Sequence, residues 1–206
     1  MTQILDIHPT HPQGRLLNQA VEVLRRGGLI IYPTDTTYAL GCHIGDKAAL
    51  ERLVALRRLA KRHQFTLVCR DLSDLGTYAR VDNAEYRILK RFTPGPYTWV
   101  LKATRQVPKR LVHEKRRTIG LRVPGHPIVQ ALLELLDEPI MTTSARLPQQ
   151  DTVATDARDL AEAFGRQVDL VLDGGYCGSE PSTMVDLTTH VPEIMRPGIG
   201  DLDGVI

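Results

Sequence analysis

Hydroxyl-bearing residues and arginines recur in this chain where short apolar runs end. Thr34 and Thr36 follow Leu29-Ile30-Ile31-Tyr32, which breaks at Pro33, and Thr142-Thr143-Ser144 closes the run begun by Ile140-Met141. Arg122 sits near the end of Thr118-Ile119-Gly120-Leu121-Arg122-Val123, and Ser182-Thr183 and Arg196-Pro197-Gly198 follow further along. Arginine offers a planar fork of donors and a hydroxyl both donates and accepts, so such a set suits phosphate and carboxylate ligands. Taken singly, each Thr or Ser reads first as a turn or cap residue. Their repetition at strand ends is what points to a ligand, because loops converge there on a rigid sheet.

Several kinds of chemistry are absent. The chain has no GxxxxGK[ST] loop, no GxGxxG after a strand and no HExxH. No GxSxG elbow surrounds Ser144 and no base lies near it in sequence, so Ser144 reads as a hydrogen-bond donor to phosphate, not a nucleophile. His126, just before Pro127, reads as a helix-start residue and not as a base. Cys42, Cys69 and Cys177 are widely spaced with no CxxC pair, which gives neither a disulfide framework nor a metal site. Cys42 and Cys69 are expected to pack as small buried hydrophobes.

Net charge is only +2, but its distribution is uneven. Lys102, Arg105, Lys109, Arg110, Lys115, Arg116 and Arg117 face Glu114 alone in their stretch, and Arg57, Arg58, Lys61, Arg62 and His63 form a second group. The two groups could make one positive face for phosphates, carried by nucleotide or by RNA backbone; the plainer alternative is solvated loops and helix ends. Aromatic residues make only 5% of the chain, so any RNA contact is expected through backbone and shape, not base stacking.

The elements that must hold these residues alternate. Leu16-Leu17, Ala20-Val21 and Val23-Leu24 repeat at helical spacing before Gly27-Gly28. Asp46 can cap a helix carrying Ala49-Leu50 and Leu53-Val54, and Asp82 with Glu85 has the capping-box spacing. Pro127 suits the first position of a helix running to Leu136, and Thr155 to Phe164 reads as another helix. Strands are expected at 29–32, 65–69, 97–101, 118–123, 140–143, 168–172, 183–187 and 193–196, with Ile119, Leu121 and Val123 on one face. Adjacent strand pairs without intervening helices predict a mixed sheet, not a purely parallel one. At 206 residues, 42% hydrophobic and 24% charged, the chain suits one α/β domain over its whole length, 1–206. No apolar run approaches the ~20 residues needed to span a bilayer, and the first residues lack a basic head with an apolar stretch. A cytoplasmic location, no membrane partner and a monomer or weak homodimer are expected.

In order along the chain, Tyr32-Pro33-Thr34-Asp35-Thr36-Thr37-Tyr38-Ala39-Leu40-Gly41 resembles the YPTETVYGLG signature of the YrdC/YciO family. Pro94-Gly95-Pro96-Tyr97-Thr98 resembles its PGPxT, Arg122 to Pro127 its RxPxHP, Thr143-Ser144-Ala145 its PSAN, Pro181 to Asp186 its ST-V-D, and Arg196-Pro197-Gly198 its RPG. The resemblance runs from about Ala20 to Ile199 and implies a twisted mixed open sheet flanked by helices, with a concave basic cleft. It further implies synthesis of L-threonylcarbamoyl-AMP from ATP, threonine and bicarbonate, a step toward threonylcarbamoyladenosine in tRNA, and binding of double-stranded RNA or tRNA. By position it implies that Thr36, Arg122, Thr142 and Ser182 contact threonine, with Arg122 forking onto its carboxylate. It implies that Arg57, Thr118, Ser144, Arg146, Thr152 and Arg196 contact the nucleotide, with Mg²⁺ shielding its phosphates. Lys61, Arg62, Lys109, Arg110, Lys115, Arg116 and Arg117 are the expected RNA contacts.

The chain departs from the synthase pattern in two segments. Where the synthases carry KxRP it reads Arg57-Arg58-Leu59-Ala60, and where they carry SxN it reads Ser144-Ala145-Arg146. Leu59 removes a phosphate partner, and Arg146 brings positive charge from the other side. Lys61-Arg62 and Phe65-Thr66-Leu67, which follow the first of these segments, resemble the YciO subgroup, whose members share that altered segment. The expectation is a protein that binds ATP or threonylcarbamoyl-AMP and forms the latter weakly or not at all; an active synthase and an acyl-adenylate hydrolase are the alternatives.

Overall fold

The computed structural model describes residues 2–60, 63–146, 153–189, 191–203 and 205. The elements are β1 (Gln3–Asp6), α1 (Gly14–Arg25), β2 (Ile30–Tyr32), β3 (Ala39–His43), α2 (Lys47–Arg57), β4 (Thr66–Val68), α3 (Leu72–Tyr78) and β5 (Ala79–Arg80). They continue with α4 (Asn83–Phe92), β6 (Tyr97–Ala103), β7 (Thr118–Arg122), α5 (Pro127–Leu136), β8 (Ile140–Ser144), α6 (Ala157–Phe164), β9 (Leu170–Asp173), β10 (Thr183–Asp186) and β11 (Glu193–Arg196). The cap residues act as their types dictate. Asp46 accepts from the Ala49 amide, Asp82 and Glu85 close a full capping box on α4, and the His126 ring accepts from the Ile128 amide with Pro127 behind it. The strands β1, β3 and β5 and the helix α3 were not among the elements expected from sequence. β3 holds a glycine and a histidine, and the others are short or irregular in pattern, so no periodicity marks them.

All these strands join one mixed sheet in the order β1-β9-β2-β3-β8-β4-β7-β6-β10-β11, with β5 beside β6. β1–β9, β9–β2, β4–β7 and β6–β10 are parallel and the other pairs antiparallel. Alternation along each strand sorts side chains onto two faces. Ile31, Leu40, Cys42, Met141, Leu67, Leu121, Ile119, Trp99 and Val185 point to one face, where α2, α3, α4 and α6 add Leu53, Leu75, Leu89 and Phe164 to a single core. Ile30, Tyr32, Ala39, Ile140, Val68, Leu170 and Leu172 point to the other, where α1 and α5 cover them with Leu17, Leu24, Ile128, Leu132 and Leu136.

Following that second face across the register locates the functional surface. Gly41 pairs with Thr142, Thr142 with Thr66, Thr66 with Gly120, Gly120 with Val100, and Val100 with Asp186. One step along the strands, Val68 pairs with Arg122, Thr98 with Met184, and Met184 with Arg196. Paired residues share a face, so this row of hydroxyls and arginines continues the surface on which α1 and α5 rest. The buried apolar positions of the remaining described helices belong to the opposite core. From β8 to β11 no described helix covers this face, which carries the row of hydroxyls and arginines.

Candidate ligand cleft

A cleft of about 260 Å³ lies over this strip, floored by Thr66, Val68, Thr98, Arg122, Thr142 and Met184 and walled by Arg57, His63, Gln64, Ser144, Arg146, Ser182 and Arg196. Gly120 keeps the floor flat. A Cβ there would stand 2.7 Å from Thr66 Oγ1 and 2.9 Å from the Phe65 carbonyl, whose oxygen accepts from the Gly120 amide. Tyr32 supports the floor from the α1/α5 side. Its ring lies against Gly41 and its hydroxyl donates to Thr142 Oγ1 at 3.0 Å, while burial pushes the phenol up to about 12.

The cleft has two ends of different make-up. At one end Arg57, the last residue of α2, donates through Nη1 to the carbonyl of Arg146, so the segment after β8 is tied to the end of α2. His63 and Gln64 complete this end. Arg57 holds its proton less firmly than a free arginine, through burial first and then the charge of Arg146. The His63 ring is lowered by burial and by Arg57. At the other end Arg122 Nη2 donates to Asp35 Oδ1 at 2.5 Å and to Thr36 Oγ1 at 2.9 Å. Thr98 and Ser182 share a bond of 2.7 Å, and Arg196 Nη2 donates to the Ser182 carbonyl at 2.9 Å. Arg196 is likewise lowered, by burial and then by Arg122. Positive charge is crowded at both ends, and no carboxylate lines the cleft among the described residues.

Among the described residues, four buried side-chain polar atoms lack a partner: Arg57 Nε, Gln64 Nε2, Arg122 Nε and Thr93 Oγ1. The first three belong to residues lining the cleft and all are N–H donors. A buried donor left unpaired costs roughly 1–3 kcal/mol, which a ligand supplying acceptors would offset.

Of the residues expected at a ligand, Thr36, Arg57, Arg122, Thr142, Ser144, Arg146, Ser182 and Arg196 line the cleft. Thr118 is fully buried below Gln64, to which its hydroxyl donates at 3.5 Å, and does not line it. Arg196, assigned by resemblance to the nucleotide side, stands against Ser182 and Arg122. Thr152, Lys61 and Arg62 lie outside the described residues. Leu59 packs its half-buried side chain against the larger core. Lys109, Arg110 and Arg117 line a separate basic hollow that also touches His63. Arg110 is fastened to the carbonyls of Ile44 and Gly45, Arg116 pairs with Asp186 at 3.3 Å, and Lys115 is exposed. Sequence reasoning named His63 only as a member of a basic group that could face phosphates, and missed Gln64, whose segment has no periodic pattern. Thr66 and Thr98 were missed as well, because only the register of β4 and β6 on β7 places both on the face of Arg122. Cys42, Cys69 and Cys177 are buried and free, and burial pushes the Cys42 and Cys177 thiols up to about 12 and about 11. No group of three or more metal-ligating side chains is present among the described residues, and no described helix is long and apolar enough to cross a membrane.

A mixed sheet with this hydroxyl and arginine cleft defines a known class. The family Sua5_yciO_yrdC, described as telomere recombination, matches residues 22–198, and the chain belongs to that family, within its YciO subgroup. It is 52% identical to protein YciO of Escherichia coli (strain K12) over 202 residues, 98% of each chain, and the crystal structure of E. coli YciO superposes with a TM-score of 0.96 over the whole of both chains. It is 32% identical over 186 residues to threonylcarbamoyl-AMP synthase of Vibrio vulnificus (strain YJ016), covering 88% of this chain and 98% of that one. The structure of Pyrococcus abyssi Sua5 complexed with L-threonine is 29% identical and superposes with a TM-score of 0.88 over 96% of this chain and 58% of that one.

Proposed function

We propose that the protein binds an adenylate-type ligand, ATP or threonylcarbamoyl-AMP, in this cleft, with phosphates toward Arg57, Arg146, His63 and Gln64 and the amino-acid portion toward Arg122, Thr36 and Ser182. The observation that carries the reading is the trio of buried, unpaired donors, Arg57 Nε, Gln64 Nε2 and Arg122 Nε, at both ends of one cleft that no carboxylate lines among the described residues. Kinship with the threonylcarbamoyl-AMP synthase of V. vulnificus and likeness to Sua5 with L-threonine support the ligand class. Mg²⁺ fits as a companion of bound triphosphate, held by phosphate oxygens, because the described residues lining the cleft offer hydroxyls and guanidinium groups and no carboxylate. The cleft's chemistry is positioning and charge neutralisation.

Full synthase turnover is not expected. Leu59 packs into the apolar core, so a charge-assisted phosphate contact worth on the order of 1.5–3 kcal/mol is missing at that position. Incubation with threonylcarbamoyl-AMP separates the readings. AMP release identifies a hydrolase, ATP formed on adding pyrophosphate identifies a synthase, and binding without conversion identifies a carrier or sensor. Robust formation of threonylcarbamoyl-AMP and pyrophosphate from ATP, threonine and bicarbonate overturns the restriction on synthase activity. Failure to bind any adenylate overturns the proposal. Binding of double-stranded RNA along Lys109, Lys115 and Arg117 is a second reading, favoured by the basic hollow that joins these residues' loop to His63.

A further inference from the structure

Across much of the surface, arginines are paired with carboxylates: Arg52 with Asp169, Arg70 with Asp71 and Asp137, Arg116 with Asp186, and Arg158 with Asp6 and Asp173. One group of cations is not. Arg80, Lys102, Arg105, Lys109 and Arg117 surround a hollow of about 720 Å³ beyond the end of β6, and no carboxylate lines it among the described residues. The side chains of Arg80, Arg105, Lys109 and Arg117 have no partner among the described residues, and Lys102 has the neutral carbonyl of Arg116 at 3.3 Å. The hollow shares no described lining residue with the ligand cleft.

The backbone that carries these cations is held in place. β5 pairs with β6 so that Arg80 lies opposite Lys102. Thr104 ties the next turn to α3, its hydroxyl donating to the Thr77 carbonyl at 2.7 Å and its amide to the Tyr78 carbonyl at 2.9 Å. Val107 and Leu111 anchor the loop that follows in the larger core. Arg117 has a φ of 59°, the left-handed region that side chains rarely adopt. Its amide donates to the His113 carbonyl at 2.8 Å and its carbonyl accepts from the Ala103 amide at 3.0 Å, which fixes that conformation. Backbone strain of this kind collects at binding sites, and Arg117 is one of the residues lining both this hollow and the smaller one beside His63.

Cations gathered round a concavity repel one another, and its walls focus their field. Neutralising five of them in one volume calls for several negative charges on a compact body. A polyphosphate chain carries charge on every phosphate, with oxygens that accept from guanidinium and ammonium groups alike. Duplex RNA is a rod with phosphates along its outside, which suits cations strung along a ridge and not cations converging on a hollow. We propose that this hollow is a second anion site, built for a compact polyphosphate and separate from the ligand cleft. The chain could be inorganic or the tail of a nucleotide, whose nucleoside would rest on Ala103 and Val112.

The test is a calorimetric titration with tripolyphosphate at low salt, in Arg57→Gln so that phosphate binding in the cleft is weakened. One equivalent is expected to bind. Arg80→Gln and Arg105→Gln, both at exposed positions, should each weaken it about threefold, the size of one exposed ion pair, and together about tenfold. Arg117→Asn removes the charge with a residue that tolerates the left-handed backbone, and should act alike. Unchanged affinity in the Arg80→Gln/Arg105→Gln double variant overturns the proposal. So does sulfate that displaces tripolyphosphate at equal charge, which would mean a counterion atmosphere only. Duplex RNA binding that depends on Arg80 and Arg105, with no binding of tripolyphosphate, also overturns it. ATP held more tightly than tripolyphosphate names a nucleotide as the source and equal affinities name the inorganic chain; both bear the proposal out. The adenylate reading of the cleft stands or falls separately, on binding that Arg57→Gln weakens.

Discussion

At the scale of single residues, the cleft is a place where cations are held closer together than water would allow. Arg57, Arg196 and His63 all bind their protons less firmly than usual, each through burial and then a neighbouring arginine. His63 makes this measurable near neutral pH. Its lowered value keeps it neutral in the free protein, and a phosphate placed beside it favours the protonated ring. The complex then holds more protons than its parts. ATP affinity should rise as pH falls from about 6.5, the ordinary histidine value, and stop rising once His63 is protonated in the free protein as well. Calorimetry at pH 6 in two buffers of different ionisation enthalpy should show proton uptake, and His63→Gln should remove it. Uptake that persists in His63→Gln would assign the proton to another group. The types of Arg57, Arg122, Ser182 and Arg196 could be read from the chain; that Arg57 reaches the Arg146 carbonyl, and Arg122 reaches Asp35, could not.

Secondary-structure elements turn this chemistry into a surface. The capping-box spacing of Asp82 and Glu85 is local, and α4 starts where that spacing puts it. Asp82→Ala should cost about 1 kcal/mol in a urea melt, within the usual range for a lost N-cap, with ligand binding unchanged because α4 packs on the far face. A glycine in β7 makes a sharper test. An alanine methyl at Gly120 meets the Phe65 carbonyl, a backbone atom that cannot turn aside, as well as Thr66 Oγ1. Gly120→Ala should therefore destabilise the protein by roughly 1–3 kcal/mol and weaken adenylate binding, since the displaced segment carries His63 and Gln64. Stability and affinity both at wild-type levels would remove Gly120 from the floor. The alternation of Ile119, Leu121 and Val123 was legible and all three lie in the larger core. β3 was not legible, because Gly41 and His43 break its apolar pattern while two antiparallel neighbours hold the strand in place.

At the scale of the whole molecule, charge placement matters more than the net value of +2. The loop before β7 carries cations of two kinds. Arg110 and Arg116 are spent on Ile44, Gly45 and Asp186, whereas Lys109 and Lys115 are exposed. If duplex RNA tracks this loop, Lys109→Ala and Lys115→Ala should each lower the slope of log affinity against log salt by just under about one unit. Arg116→Gln should change it less, because that charge is already balanced by Asp186. Fluorescence anisotropy of labelled RNA over a salt series measures this, and unchanged slopes would take the loop off any RNA path. By itself the sequence determined the α/β class, the mixed sheet, the caps and the residue types of the site, because these depend on local periodicity, turn chemistry and motif. The tertiary structure alone decided that β4, lying between β7 and β8, brings Thr66, Thr142 and Arg122 onto one face, and that α1 and α5 stop short of them. It also decided that the carboxylate nearest Arg122 belongs to the protein. Register and helix placement are set by contacts between segments far apart in the chain, and no pattern within any one segment encodes them.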